Sequence, residues 1–231
     1  MTEDYAPRAA EPHSAAIVID GRGVPTNRVL RVAGAGIKPG EIGLNAVFLG
    51  FTAAFAGTNP AGASYMITNK GVAGFAYSNT VAYGQGAGWF SIQAVTGFLA
   101  EGATQWHTGL VQAAGLNVGT YVATNAVSSP TAINSPIDII VELRVEKAAQ
   151  IISFPAIGDQ LATNALELIA SSTSDLPVSF AVGAGPAVIT GGVNLAFTGA
   201  GAVSIIASQA GDTNYLAAPS VTNVFNVTRA S

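Results

Sequence analysis

Two histidines, thirteen carboxylates and no cysteine bound the acid–base and metal chemistry open to this 231-residue chain. A transition-metal site needs several imidazole, thiolate or carboxylate ligands converging, and the missing cysteines remove disulfides, zinc–thiolate sites and thiol catalysis together. One Ser–His–Asp set can be written around His107, with Ser91 and Asp138. Neither a strained nucleophile turn nor an oxyanion loop surrounds any of the three. Glu142 and Glu146 share a face of one alternating run, but a glycosidase pair has to flank a cleft. Asp159 and the loop Asp212-Thr213-Asn214 carry oxygen ligands of the kind calcium takes; they lack the dense Asp spacing of a calcium loop, and turn hydrogen bonding suits them better. Gly84-Gln85-Gly86-Ala87-Gly88 imitates a phosphate loop in composition only, since no Lys-Ser/Thr closes it, and its strand context calls for a hairpin loop. The expectation is a protein that is not an enzyme, with no catalytic residue, cofactor or metal.

Aromatic side chains are the remaining resource, concentrated at Tyr83, Trp89, Phe90 and Trp106. Aromatic platforms are how β-proteins commonly hold sugars or protein partners. Trp89 reads as a core residue, leaving Tyr83, Trp106 and the adjacent His107 as the candidate ligand contacts.

Those residues sit in a chain that is 49% hydrophobic and only 10% charged. The apolar residues never run together, because Asn45, Gly50, Gly57, Asn59-Pro60, Asn69, Gly71, Gly74 and Asn79 interrupt every charge-free stretch, so no 18-residue apolar helix can be drawn. No membrane insertion is expected. A net charge of −4 without any Lys/Arg run gives no footprint for nucleic acid. The N-terminus, Met1-Thr2-Glu3-Asp4, lacks the basic and apolar regions of a secretory signal, so either a signal was removed or the protein is made in the cytoplasm, and Met1 favours the second as the expectation.

Five of the nine basic residues, Arg8, Arg22, Arg28, Arg31 and Lys38, fall in the first forty positions. Two strand-like runs lie there, Ala16–Ile19 and Arg28–Val32, separated by the turn Gly21-Arg22-Gly23-Val24-Pro25. A segment this short cannot build its own core. Residues 1–40 read either as a flexible leader or as an extended arm that docks on a neighbouring subunit through Ile17, Val18, Ile19, Arg22, Arg28, Leu30 and Arg31, and the second is the expectation carried forward.

From Glu41 the pattern turns to period two, with Val47, Leu49, Phe51, Ala53 and Phe55 on one face and Phe48 as the misfit. Strand-like runs follow at Ser64–Asn69, Phe75–Ser78, Trp89–Ile92, Thr104–Leu110, Thr120–Ser128 and Ile137–Val145. Leu116 through Gly119 and Tyr121 has the layout of a tyrosine corner. A second series begins at Gln150–Pro155 and continues through Leu166–Ala170, Val178–Val182, Ala187–Thr190, Leu195–Thr198, Val203–Ser208 and Val221–Thr228. Seven short strands per series, without room for crossover helices, give an all-β fold class: two tandem immunoglobulin-like β-sandwiches preceded by the N-terminal arm, with domains at 41–147 and 148–231.

The first series resembles the BACON-type Ig-like repeats of bacterial surface and phage structural proteins. The resemblance is carried by Leu44–Phe55, Asn59-Pro60 before Met66–Asn69, Gly88–Ile92, and Gly115-Leu116 through Tyr121, with Asn134-Ser135-Pro136 before the last strand. Gln105-Trp106-His107-Thr108 departs from the plainer alternation usual there. The second series is similar to another bacterial Ig-like repeat, through Leu176–Phe180, Gly185-Pro186-Ala187, Ala207–Tyr215 and Phe225–Thr228. The resemblance implies a structural role in a virion, as a decoration or fibre-type protein, or in an extracellular filament, with other copies of itself or other structural subunits as partners. Spacer or adhesion repeats of a bacterial surface protein, and a carbohydrate-binding module contacting cell-surface glycans, are the alternatives.

Overall fold

Alternation of apolar and small polar residues, punctuated by Gly, Asn and Pro, leaves the chain no periodicity suited to a helix, and the computed structural model contains strands and turns only among the residues it describes, 12–19, 28–35 and 37–229. The chain divides into two compact units. The first takes in most of the chain up to Leu143 and the second begins at Arg144, with the short segments Thr52–Asn59 and Ala113–Thr120 counted with the second. No helix among the described residues is long and apolar enough to cross a membrane.

At the start of the first unit, β1 (Pro12–Ile19) and β2 (Arg28–Ala35) pair antiparallel in a two-stranded sheet of their own. Their register is unbroken from Pro12–Ala35 to Ile19–Arg28.

The first sandwich is made of two sheets. One has β3 (Ile42–Leu44), β5 (Ala63–Asn69), β9 (Thr104–Val111) and β7 (Phe90–Ile92) in the order β3-β5-β9-β7. The other has β4 (Phe48–Ala54), β11 (Ile137–Glu146), β10 (Gly119–Ser128), β6 (Phe75–Tyr83) and β8 (Thr96–Leu99), in that order. The single opening strand expected from the sequence, Leu44–Phe55, is therefore two strands in two sheets. Asn45 marks the break: its side-chain oxygen accepts from the Met66 amide at 2.6 Å, which ends the β3 ladder and releases the chain toward the opposite sheet. There the Val47 carbonyl accepts from Ile140 N–H and the Glu146 carbonyl from Phe55 N–H, with both residue numbers rising, so β4 and β11 run parallel. Gly84–Gly88, expected as a hairpin loop, instead carries the chain from β6 in one sheet to β7 in the other.

Burial follows the pleat. In β11, Ile139, Val141, Leu143 and Val145 are buried while Asp138, Ile140 and Arg144 face outward, and each buried side chain of this size contributes about 1.5–3 kcal/mol. Phe48, the misfit in the alternation, is exposed, as is Val47, which precedes the strand.

The second sandwich repeats this plan in shorter pieces. Its larger sheet orders β13 (Gln160–Leu161), β20 (Val221–Thr228), β19 (Gly201–Ser208) and β16 (Ser179–Ala184), with β13 parallel to β20. Opposite lie β14 (Ala165–Glu167), β18 (Asn194–Phe197) and β17 (Ala187–Thr190). β12 (Ile152–Ser153) pairs separately with β15 (Ser171–Ser172). The core is aliphatic and aromatic: Leu168, Leu195, Val203, Ile205, Phe225 and Val227, with Phe154 and Phe180 against it. Gly185, at φ +94°, sits against the Ala202 carbonyl where a Cβ has no room, which explains a glycine at the β16–β17 turn.

Candidate functional site

The residues that the sequence singles out around His107 lie on both sides of β9, and the pleat separates them. His107, Gly109 and Val111 point into the sandwich; Trp106, Thr108 and Leu110 point out. His107 is 1% exposed, so its place among the candidate ligand contacts is corrected. Its Nδ1 lies 3.3 Å from the Gln93 carbonyl, which can only accept, so Nδ1 donates and Nε2 takes the hydrogen bond of the Tyr77 hydroxyl at 2.8 Å. The ring stacks on Tyr65 and meets Tyr77 edge-on. Both nitrogens are engaged within the core and the ring is buried, so neither is open to a substrate. Ser91 and Asp138 are both exposed, on strands of opposite sheets.

Beside His107 a polar cluster ties the two sheets together. The Tyr65 hydroxyl on β5 donates to Asn79 Oδ1 on β6 at 2.7 Å, and Asn125 Nδ2 on β10 donates to both, at 3.0 Å each. Asn79 Nδ2 and Asn125 Oδ1 are buried without a hydrogen-bond partner. Burial pushes the Tyr65 hydroxyl above its ordinary value, the Asn125 hydrogen bond pulls it back and Tyr77 adds a further push upward; burial raises Tyr77 as well. No sequence signal marks this cluster, because its members lie far apart along the chain and each reads alone as an ordinary strand residue.

Tyr83 is used internally as well. Its hydroxyl donates to the Phe90 carbonyl at 2.5 Å and its ring meets Trp89 edge-on. Trp89 is the core residue expected, 2% exposed, with Nε1 donating to the Gln85 carbonyl and Tyr121 packed against its ring.

Trp106 alone of the three candidate contacts is open, at 58% exposure. Its cross-strand partner is the half-buried Met66, and the next outward pair is Ser64 with Thr108, whose hydroxyls lie 3.2 Å apart. Leu110 faces Ser91 on β7. The outward positions of β5, β9 and β7 thus form an uncharged platform with one indole at its centre.

Among the arm residues, Arg22 lies outside the described residues. Ile17, Val18, Ile19, Arg28, Leu30 and Arg31 fall on the β1–β2 hairpin, where Ile17 stands opposite Leu30, Val18 opposite Val29 and Ile19 opposite Arg28.

The carboxylates weighed for calcium are engaged with the backbone. Asp212 Oδ1 accepts from the Asn214 and Tyr215 amides at 2.8 Å, and Asp159 Oδ1 from the Asn226 amide at 2.8 Å. Glu146 pairs with Arg144 at 3.3 Å. No group of three or more metal-ligating side chains occurs among the described residues.

Strand order, parallel first-to-last pairing and two facing sheets recur in both units. Both are immunoglobulin-like sandwiches. No protein family matches the chain by sequence, and no curated protein does. Among solved structures it is similar to a PapD-like domain of human CEP192, at 11% identity and a TM-score of 0.39, covering 47% of this chain and 87% of that one. The periplasmic chaperone SfaE matches at 10% identity and a TM-score of 0.39, covering 79% and 98%. The E. coli chaperone DraB matches at 10% and 0.37, covering 83% and 97%. Similarity at this level shows the sandwich fold and fixes neither the BACON-type subfamily nor a function.

Proposed function

We propose that the chain is a non-enzymatic assembly protein, a decoration or fibre-type component of a phage particle or of an extracellular filament, whose N-terminal hairpin docks on a neighbouring subunit. The observation that carries this reading is the hairpin itself: eight consecutive residue pairs in a sheet separate from both sandwiches. A lone two-stranded hairpin is marginal in water. This one is built from Ile17, Val18, Ile19, Val29, Leu30 and Val32, β-branched and apolar material that gains from cover by a partner. A surface with few charges also suits lattice packing better than dispersal. Removing residues 1–36 tests the reading: the remaining chain should keep its β-sheet circular dichroism and cooperative unfolding but no longer join particles seen by electron microscopy. Normal assembly of the shortened chain overturns it.

A second reading, contact with cell-surface glycans, is favoured by the exposed Trp106 on its uncharged platform. A sugar stacks on such an indole while hydroxyls like those of Ser64 and Thr108 meet its edge. A glycan array with the native chain and Trp106→Ala decides it: specific spots lost on substitution support the reading, and no spots at all refute it.

A further inference from the structure

The second sandwich has a gap where its first strand changes sheets. β12 pairs with β15, but the chain then leaves as Phe154–Asp159 and reappears as β13 on the opposite sheet, beside β20. β14 is consequently the terminal strand of its sheet. Its ladder with β18 aligns Leu166 with Leu195, and Leu168 N–H donates to the Val193 carbonyl. By the alternation of an antiparallel pair, the N–H and C=O groups of Ala165, Glu167 and Ile169 point the other way, along the open edge.

Along that edge runs a groove of about 410 Å3, whose lining includes Phe154, Ile157, Leu166, Glu167, Leu168 and Ile169. Phe154, Ile157 and Leu166 are only partly buried although they pack on the core, and Ile169 is 70% exposed. An unpaired edge over an apolar trough is the geometry of β-augmentation: an added strand satisfies the edge while alternate side chains fill the trough.

We infer that this edge receives strand β2 of a second copy of the chain, an inference that rests on the assembly reading above and names its acceptor. Charge and pattern both select that occupant. The hairpin region 12–35 carries Arg22, Arg28 and Arg31 against the single acid Asp20, whereas residues 148–231 carry Asp159, Glu167, Asp175 and Asp212 against the single base Arg229. In β2, positions 30 and 32 share one face of the pleat and 29 and 31 the other. A strand laid with positions 30 and 32 toward Leu166 and Leu168 sets position 31 beside Glu167. β2 retains a free edge while paired to β1, so the hairpin adds without coming apart.

Three full-length cysteine variants read this contact directly, because the native chain has no cysteine to compete. Arg31→Cys chains mixed with Glu167→Cys chains under mild oxidation should yield a disulfide-linked pair of chains, and the same Arg31→Cys chains mixed with Asp212→Cys chains should not. No linked pair, or equal yields from both mixtures, overturns the inference. In parallel, Glu167→Arg should abolish the self-association measured by light scattering, and Arg31→Glu added to the same chain should restore it; unchanged association in Glu167→Arg overturns the inference too. If association ignores Glu167→Arg yet is lost when residues 1–36 are removed, the acceptor is wrong and the assembly reading stands. If removal of residues 1–36 changes nothing, the assembly reading itself has failed.

Discussion

In the first sandwich β4 runs parallel to β11, in the second β13 runs parallel to β20, and each time the neighbouring strands follow in the same order, with β8 the one addition in the first. What fills the two frames differs. The first encloses Trp89, Tyr65, Phe75, Phe90 and His107, all at 2% exposure or less, and a polar cluster bonds one sheet to the other. The second encloses Leu195, Val203, Ile205, Phe225 and Val227, and its buried polar side chains, Gln150 and Ser172, bond to Gln209 and Ser174. The shared plan follows from alternation and turns, which any apolar filling satisfies. The cluster adds a constraint of another kind, since hydrogen bonds between sheets hold at one relative position only, while aliphatic packing tolerates exchange.

That contrast can be attacked in order of expected effect. Trp89→Ala should cost the first unit about 3–5 kcal/mol, since it removes the largest buried side chain and the partner of Tyr83 and Tyr121. Two-domain thermal unfolding should then show the first transition lowered and the second unmoved; equal shifts in both would mean the cores are not independent. Tyr65→Phe, nearly isosteric, should cost about 1–3 kcal/mol because Asn79 and Asn125 both lose a buried partner. The comparable gentle exchange in the second unit, Leu195→Met, should cost less than about 1.5 kcal/mol in urea unfolding. A Tyr65→Phe chain as stable as the native one would remove the distinction between the cores.

Alkaline pH sharpens the comparison further. Tyr65 and Tyr77 are held above their ordinary range by burial. A phenol whose pKa is raised by folding stabilises the fold while neutral, so that stability is fully present below the unfolded value near 10 and drains above it, by about 1.4 kcal/mol per pH unit for each tyrosine. The first unit should lose stability above that pH, and Tyr65→Phe should reduce the slope. The core clusters of the second unit contain no tyrosine, and its transition should move less.

Much of this frame is legible in the sequence. Leu49, Phe51 and Ala53 alternate as expected in β4, and the strands expected near Thr104, Thr120, Ile137, Val203 and Val221 occur within a residue or two. The changes of sheet are harder to read. β3 and β13 are three and two residues long, too short for periodicity, and their placement depends on partners distant in sequence. β8 was missed because Thr96-Gly97-Phe98-Leu99 buries only its last residue fully, and Phe98, exposed at 68%, breaks no pattern. The same limit explains the site. Strand alternation separates Trp106 from His107 once the inward face is known, but sequence adjacency alone suggested that the two act together. The open edge of β14 was hidden in the run Leu166–Ala170, which reads as one continuous strand until the bend between β14 and β15 divides it.

Assembly through the hairpin requires that another subunit cover it. Amide hydrogen exchange across residues 12–35 of the full-length chain, measured dilute and then under conditions of assembly, tests this most directly. A lone hairpin opens readily and exchanges fast, so the dilute chain should exchange these amides far faster than those of β10 and β11, and assembly should slow them toward the rate of those core strands. Equal exchange of the hairpin in both states would contradict the account.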